Sequence, residues 1–267
     1  MKVSIVLLTF NRKQLLKRAI EGILSQTFRD FELIIVDNCS IDGTEDFVKS
    51  LQDLRIKYFK NQNNGIIAVN MNFGILKSQG EYIALCDDDD YWLPFKLEKQ
   101  LEILSVQKNV ALVCTNWIEF TDDGDVGPGL TKKRASSYVT QREILIRNCI
   151  SQSTVLFRKN VVESLALFDE SPEYFTAEEF EMWLKILKSH QVYLIEEPLV
   201  REKTHPGVFR SKGIRHLNIC KRIVDDLWKK GYISLSNHLM FMCRYCVYYT
   251  ANMTGLNKIY HKVLHKN

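Results

Sequence analysis

Four aspartates in a row, Asp87-Asp88-Asp89-Asp90, follow directly on the apolar run Tyr82-Ile83-Ala84-Leu85-Cys86. A short apolar run between Gly80-Glu81 and an acidic cluster has the length and composition of a buried strand. Like charges gathered at the end of such a strand are destabilising unless a cation neutralises them. A hard divalent ion with oxygen ligands does this, and Mg²⁺ commonly brings a diphosphate with it. A solvated acidic turn is the alternative. The residues that follow, Tyr91-Trp92-Leu93-Pro94, weigh against it, because large apolar side chains would pin the loop to a core.

A second acidic position stands out for where it falls on a helix. Over residues 177–188 the spacing predicts a helix whose apolar arc is Phe180, Met182, Trp183, Leu184, Ile186 and Leu187. Glu178, Glu181, Lys185 and Lys188 project to the opposite face, whereas Glu179 falls inside the apolar arc. A carboxylate there faces protein or a cleft. Burial and the neighbouring Glu178 push its pKa up while the helix N-terminus pulls it down, a balance that suits a general base. The structural alternative is a buried Glu paired with an Arg. Asp37, in Val36-Asp37-Asn38-Cys39-Ser40, could accept hydrogen bonds from a base or ribose, or serve as a turn residue. His205, in Thr204-His205-Pro206-Gly207, is either a metal or phosphate ligand or a structural histidine.

These residues need a frame to bring them together. Apolar strand patterns at 3–9, 31–36, 56–59 and 82–86 alternate with helical patterns, at about 66–77 among others, through the first hundred residues. That alternation predicts a mostly parallel sheet covered on both faces. Ligands of such sheets bind beyond the carboxyl ends of the strands. Thr9 and Asn11, Asp37, and Asp87 to Asp90 all fall at such ends. Further on, strands are expected at 110–115, 154–157, 192–195 and 199–202, a helix at 141–147, and a polar loop at 121–133. After Gly213 the pattern is helical, basic and aromatic, with nine Lys/Arg against two Asp from 214 to 267.

Composition excludes some classes. A net charge of +4 is too mild to argue for nucleic acid. The apolar start runs into Asn11-Arg12-Lys13 rather than a cleavage site, so no secretory leader is expected. Seven cysteines, odd in number and scattered, fit reduced thiols in a cytoplasm. The Cys243/Cys246 pair reads as helix packing over zinc, since no second pair lies nearby. Neither GxGxxG nor GxxxxGK[ST] follows the first strand, which argues against a dinucleotide fold or a P-loop.

The order of these motifs resembles the inverting family 2 glycosyltransferases of the GT-A fold, common in bacterial capsule and lipopolysaccharide assembly. The stretch Val3 through Arg12 is similar to the family's first strand and nucleotide loop. Ser25-Gln26-Thr27 through Asp37-Asn38, Ser40 and Asp42-Gly43-Thr44 resembles its second block, and Asn64-Gly65 with Asn72-Phe73-Gly74 its third. Gly80 through Asp90, Trp92, Pro94 and Leu97 looks like its metal-binding block, and Glu178-Glu179 with Trp183-Leu184 its base motif. The resemblance implies a GT-A domain over 1–213 with a helical extension over 214–267. It implies donor-nucleotide contacts from Thr9, Asn11, Asp37, Asn64, Asn72, Asp87 and Asp88. Mg²⁺ or Mn²⁺ would sit on Asp89 and His205, with Glu179 as base. The activity implied is transfer of a hexose or N-acetylhexosamine from a nucleoside diphosphate, UDP above all, to a glycan or lipid-linked acceptor.

Three departures qualify the likeness. The usual Asp of the base motif is Glu179, Met71 stands where relatives often carry Arg, and the four-Asp run lets Asp88 or Asp90 share the metal. A sugar nucleotidyltransferase is the competing enzyme, and a non-catalytic nucleotide- or glycan-binding module the competing class. Trp228, Tyr245, Tyr248 and Tyr249 make the extension either a peripheral membrane contact, a subunit interface or a solvated cap.

Overall fold

The computed structural model describes residues 2–130, 135–204 and 213–253. In chain order the elements are β1 (Val3–Thr9), α1 (Lys13–Leu24), β2 (Phe31–Asp37), α2 (Thr44–Ser50), β3 (Ile56–Lys60), α3 (Ile67–Lys77) and β4 (Tyr82–Asp87). They continue with β5 (Tyr91–Trp92), α4 (Lys96–Val106), β6 (Val110–Thr121), β7 (Gly124–Pro128), β8 (Ser137–Val139), α5 (Gln141–Ile146), β9 (Leu156–Arg158) and α6 (Lys159–Ser164). The last are α7 (Glu178–Ser189), β10 (Gln191–Lys203), α8 (Gly213–Lys229) and α9 (Leu235–Met253).

One sheet has the order β3-β2-β1-β4-β9-β6-β10-β5, with β7 on β6 and β8 on β10. The first four of these strands are parallel. β9 runs against both β4 and β6, and β10 runs with β6, so β10 points the same way as β4. The carboxyl ends of β1, β2, β4 and β10 therefore share one edge. Every residue of β2 is buried, as a strand covered on both faces requires.

Two cores flank the sheet. Val3, Ile5 and Leu7 pack with Leu16, Ile20 and Ile23 of α1 and Leu97, Leu101 and Leu104 of α4. On the other face Val6, Ile34 and Leu85 pack with α3, α6 and α7. Gly74 of α3 lies so close to β1 that a Cβ there would come 2.4 Å from Val6 Cγ1. Ile223, Val224, Leu227 and Phe241 of α8 and α9 join this second core. The change at Gly213 is thus one of secondary structure, and α8 and α9 share the sheet's own core. Trp228 stacks on His238, and Tyr245 on Tyr249.

Several expectations need correcting. The loop expected at 121–133 holds β7, which folds back on an extended β6. The two short strands at 192–195 and 199–202 are one strand, broken in register on either side of Pro198, which has no N–H to give to a ladder. On α7, Glu178 and Glu181 are buried rather than solvent-facing; Glu178 lines the cleft beside the acid turn, and α8 packs against α7. Glu181 pairs there with Lys185 at 3.0 Å. Burial holds its carboxyl above the usual range against the pull of Lys185. A strong helical period cannot reveal what the rest of the chain brings against the polar face.

Candidate active site

The acid turn is built by the strands on either side of it. β4 delivers Asp87 opposite Leu8 of β1, and Asp90 N–H closes the turn onto Asp87 O at 3.3 Å. β5 then pairs with β10, Trp92 against Val200. Trp92 is fully buried, so the apolar residues after the acids do anchor the turn.

Each acid has its own partners. Asp88 accepts from Thr9 Oγ1 at 2.8 Å and from Arg12 Nη1 at 3.1 Å. The same guanidinium reaches Asp89 Oδ2 at 3.0 Å. Asp87 Oδ1 accepts from Gln152 Nε2 at 2.7 Å, and its N–H donates to Ser153 Oγ at 3.0 Å. Asp90 Oδ1 accepts from Lys203 N at 2.9 Å. Burial, then Asp89 and Asp88, push Asp87 up to about 7. Burial, then Glu202 and Asp87, hold Asp90 well above the usual carboxylate range. Glu202, at the carboxyl end of β10, is pushed up to about 8, first by burial and then by Asp87, Glu119 and Asp89, against a hydrogen bond from Ser151. Taken together, these shifts describe a cluster short of positive charge.

Beneath the turn, Lys96 is fully buried, its ammonium 3.8 Å from the centre of the Trp92 ring. It donates to Gln100 Oε1 at 3.0 Å and Val155 O at 3.3 Å, while Gln100 Nε2 holds Thr154 O at 2.8 Å. These bonds fix the turn that presents Gln152 and Ser153 to Asp87. Burial drops Lys96 to about 7.

Glu179, in the first turn of α7, lines the same cleft as Asp87, Asp89, Asp90 and Glu202, a space of about 450 Å³. Its floor and walls include Ile67, Trp117, Gln152 and Thr176. The two acidic stretches are far apart in sequence and share one cavity.

Other expected residues lie elsewhere. Asp37 is buried at the carboxyl end of β2, where it accepts from Ser40 N–H at 2.9 Å and from the hydroxyls of Ser40 and Tyr58. Burial, then Asp37, raise the Tyr58 phenol far above its usual value. Asn11 has a left-handed backbone, φ 51°, and ties the two loops by accepting from Ile41 N at 2.8 Å and donating its own N–H to Ser40 Oγ at 2.7 Å. Asn64 is an exposed turn residue at φ 51°. Asn72 corrects an expectation: both its amide N–H groups are engaged, by Phe168 O at 2.8 Å and Glu170 Oε1 at 2.9 Å, and its oxygen accepts from Phe168 N. It is a brace between α3 and the segment leading to α7. His205 lies outside the described residues.

Arg12, Gln152, Lys96 and Glu202 were not singled out from sequence. Glu202 had a readable signal, since it is an acid at a strand's carboxyl end, like Asp37 and Asp87. Gln152 and Lys96 had none, because their importance comes from what folds beside them.

Among the described residues, no three His, Cys, Asp or Glu side chains are arranged to hold an ion unaided. The donor set still fits one. Mg²⁺ takes one or two carboxylates and fills its remaining positions with water and phosphate oxygens. Asp89 offers such a carboxylate at the cleft.

The sequence model of Glycosyl transferase family 2 matches residues 4–165, more than half of the chain. The chain belongs to this family. The family 2 glycosyltransferase is 31% identical over 205 residues to a GalNAc(5)-diNAcBac-PP-undecaprenol beta-1,3-glucosyltransferase of Campylobacter jejuni, covering 72% of this chain and 62% of that one. It is 27% identical to an uncharacterized glycosyltransferase of Rickettsia typhi, covering 85% of this chain and 72% of the relative. Among solved structures, TarS 1–349 of S. aureus in complex with UDP-GlcNAc matches with a TM-score of 0.70 at 18% identity, over 85% of this chain and 66% of that one. A Pyrobaculum calidifontis mannosyltransferase in complex with GDP-Man and Mn²⁺ matches with a TM-score of 0.64 at 16% identity, over 95% of this chain and 75% of that one. These structural likenesses establish the GT-A fold. Among the described residues no helix is long and apolar enough to cross a membrane.

Proposed function

We propose that this glycosyltransferase moves one sugar from a UDP-linked donor to a hydroxyl of a glycan or lipid-linked acceptor in bacterial surface polysaccharide assembly, inverting the anomeric centre. The observation that carries the reading is the shared cleft. Asp87, Asp89 and Glu179 all line it. A donor whose diphosphate lies at the acid turn and whose sugar fills the cleft presents its anomeric carbon between them. The TarS complexes, with UDP and with UDP-GlcNAc, support a UDP donor. The Campylobacter enzyme's undecaprenol-linked substrate supports a lipid-linked acceptor.

Glu179 takes the proton from the acceptor hydroxyl as that oxygen attacks, so its carboxylate must be ionised and facing the cleft. Thr9 and Arg12 hold Asp88, and Gln152 and Ser153 hold Asp87, so the acid turn is set before the donor arrives. Asp37 and Asn11, at the ends of β2 and β1, would meet the nucleoside. Asp89 would hold Mg²⁺ or Mn²⁺ with the donor diphosphate. Such an ion offsets the charge that grows on the departing nucleoside diphosphate.

Glu179→Gln tests the base. Transfer is expected to fall at least a hundredfold, while donor affinity, measured by calorimetric titration of UDP with Mn²⁺, stays within about twofold. Unchanged turnover would refute the assignment. A nucleotidyltransferase would instead release pyrophosphate from a nucleoside triphosphate. The β1–α1 link, Phe10-Asn11-Arg12, has no glycine to cradle one.

A further inference from the structure

We propose that Glu202 recognises the transferred sugar, its Oε1 accepting a hydrogen bond from one ring hydroxyl of the donor, and thereby helps select which sugar is moved. This rests on the donor-cleft reading above and names a contact that reading does not supply.

The position is fixed by the fold. Glu202 pairs with Glu119 across β10 and β6, at the strand end that points to the acid turn. Its side chain lines the cleft shared by Asp87, Asp89 and Glu179. Ser151 engages the carboxyl. The remaining oxygen, Oε1, is shut away from solvent and has no hydrogen-bond partner among the described residues. An acceptor buried in this way is unfavourable until a ligand brings a donor to it.

Among the described residues, the nearby cations are directed elsewhere. Arg12 bonds Asp88 and Asp89, and the Lys203 ammonium reaches Asp122 at 2.7 Å. No described cation supplies the missing donor, and a ligand in the cleft can. Phosphate and carboxylate oxygens only accept and cannot satisfy Oε1, whereas a sugar hydroxyl donates and adds no charge. A hydroxyl can also bond this oxygen whether or not the carboxyl carries a proton. Geometry selects the sugar over the nucleoside: the ring must lie between the acid turn and Glu179, and Glu202 flanks that space. A divalent ion is the other guest that would satisfy the oxygen, and the test separates the two.

Metal-dependent hydrolysis of UDP-glucose, UDP-galactose, UDP-N-acetylglucosamine and GDP-mannose is measured on the full chain in Mn²⁺. It is then repeated with singly deoxygenated analogues of the best donor. One analogue is expected to raise the wild-type KM about tenfold to a hundredfold. Glu202→Leu should raise the KM for the parent donor by a similar factor and lose all response to that one deoxygenation. Glu202→Gln keeps an acceptor oxygen and should retain most of the selectivity. Such non-additivity marks a direct contact, since a merely structural role would leave the two changes independent. Additive effects with every analogue overturn the proposal. So does a Glu202→Gln protein that binds Mn²⁺ with UDP more weakly in calorimetry while its sugar preference is unchanged, because the residue would then serve the ion. A wild-type protein that hydrolyses none of the donors overturns the transferase reading, and this proposal with it. Thermal melting of both variants separates misfolding from loss of contact. The Gln variant alone decides the matter if the Leu variant does not fold.

Discussion

Lys96 offers the most quantitative test of how the site is built. Its ammonium is fully buried, and burial takes its pKa from 10.5 down to about 7. The unfolded chain keeps the proton up to about pH 10.5, whereas the folded protein gives it up from about pH 7. Between those values the unfolded state binds more protons, so this residue makes stability rise with pH. The slope is about 1.4 kcal/mol per pH unit, and the whole window of 3.5 units corresponds to about 5 kcal/mol. The Trp92 face and the bonds to Gln100 and Val155 offset much of that cost at neutral pH. Lys96→Met discards both the charge and its partners. At pH 7 the two losses nearly cancel, and the variant should melt within a few degrees of wild type. From pH 7 to 9 wild type gains about 2 to 3 kcal/mol on the variant, which is about 5 to 10 °C in Tm for a chain of this size. Calorimetric melts of both proteins at pH 7, 8 and 9 and constant ionic strength read the difference, in which other titrating groups cancel. Parallel curves would refute the reasoning, since they would mean that burial does not discharge this amine. Turnover should also fall in the variant, because Lys96 and Gln100 hold the backbone beside Gln152 and Ser153.

Two further outcomes follow from the same physics. The Asp87 carboxyl, raised from 3.8 to about 7, favours the folded state at low pH and loses that contribution as pH rises through 7. Full burial would make this about 4 kcal/mol, and the open side of the cleft brings it to about 2 kcal/mol. In EDTA the wild-type Tm should therefore drop between pH 4 and 8 more steeply than that of Asp87→Asn; equal slopes would count against a charge-starved cluster. Gly74→Ala drives a methyl into Val6 and should lower stability by about 2 kcal/mol, or about 4 to 8 °C in Tm. An unchanged melt would show that α3 can slide off β1 at no cost.

Much of this protein is written locally. The apolar runs of β1, β2 and β4 and the intervening helical periods specify a parallel sheet, because strand and helix differ in where their apolar residues must fall. The acids at the ends of those strands then mark a site edge, since parallel strands end together. Glu179 stands out in the sequence as the acid that breaks its helix's apolar arc, and the fold lines the cleft with it and with Glu178 together. What the sequence could not give is which side chains meet. Asn72 has the type and motif of a ligand-binding residue, yet its amide braces Phe168, a partner 96 positions away. Glu178 and Glu181 follow the polar face of α7, yet both are buried in the fold, Glu178 at the cleft itself. Gln152 and Lys96 acquire their roles from neighbours brought by other segments, and the charge state of the whole acid cluster depends on how little water reaches it. Local pattern is set by the geometry of one backbone segment. Proximity and burial are set by how segments distant in sequence close around the same space, and no periodicity records that.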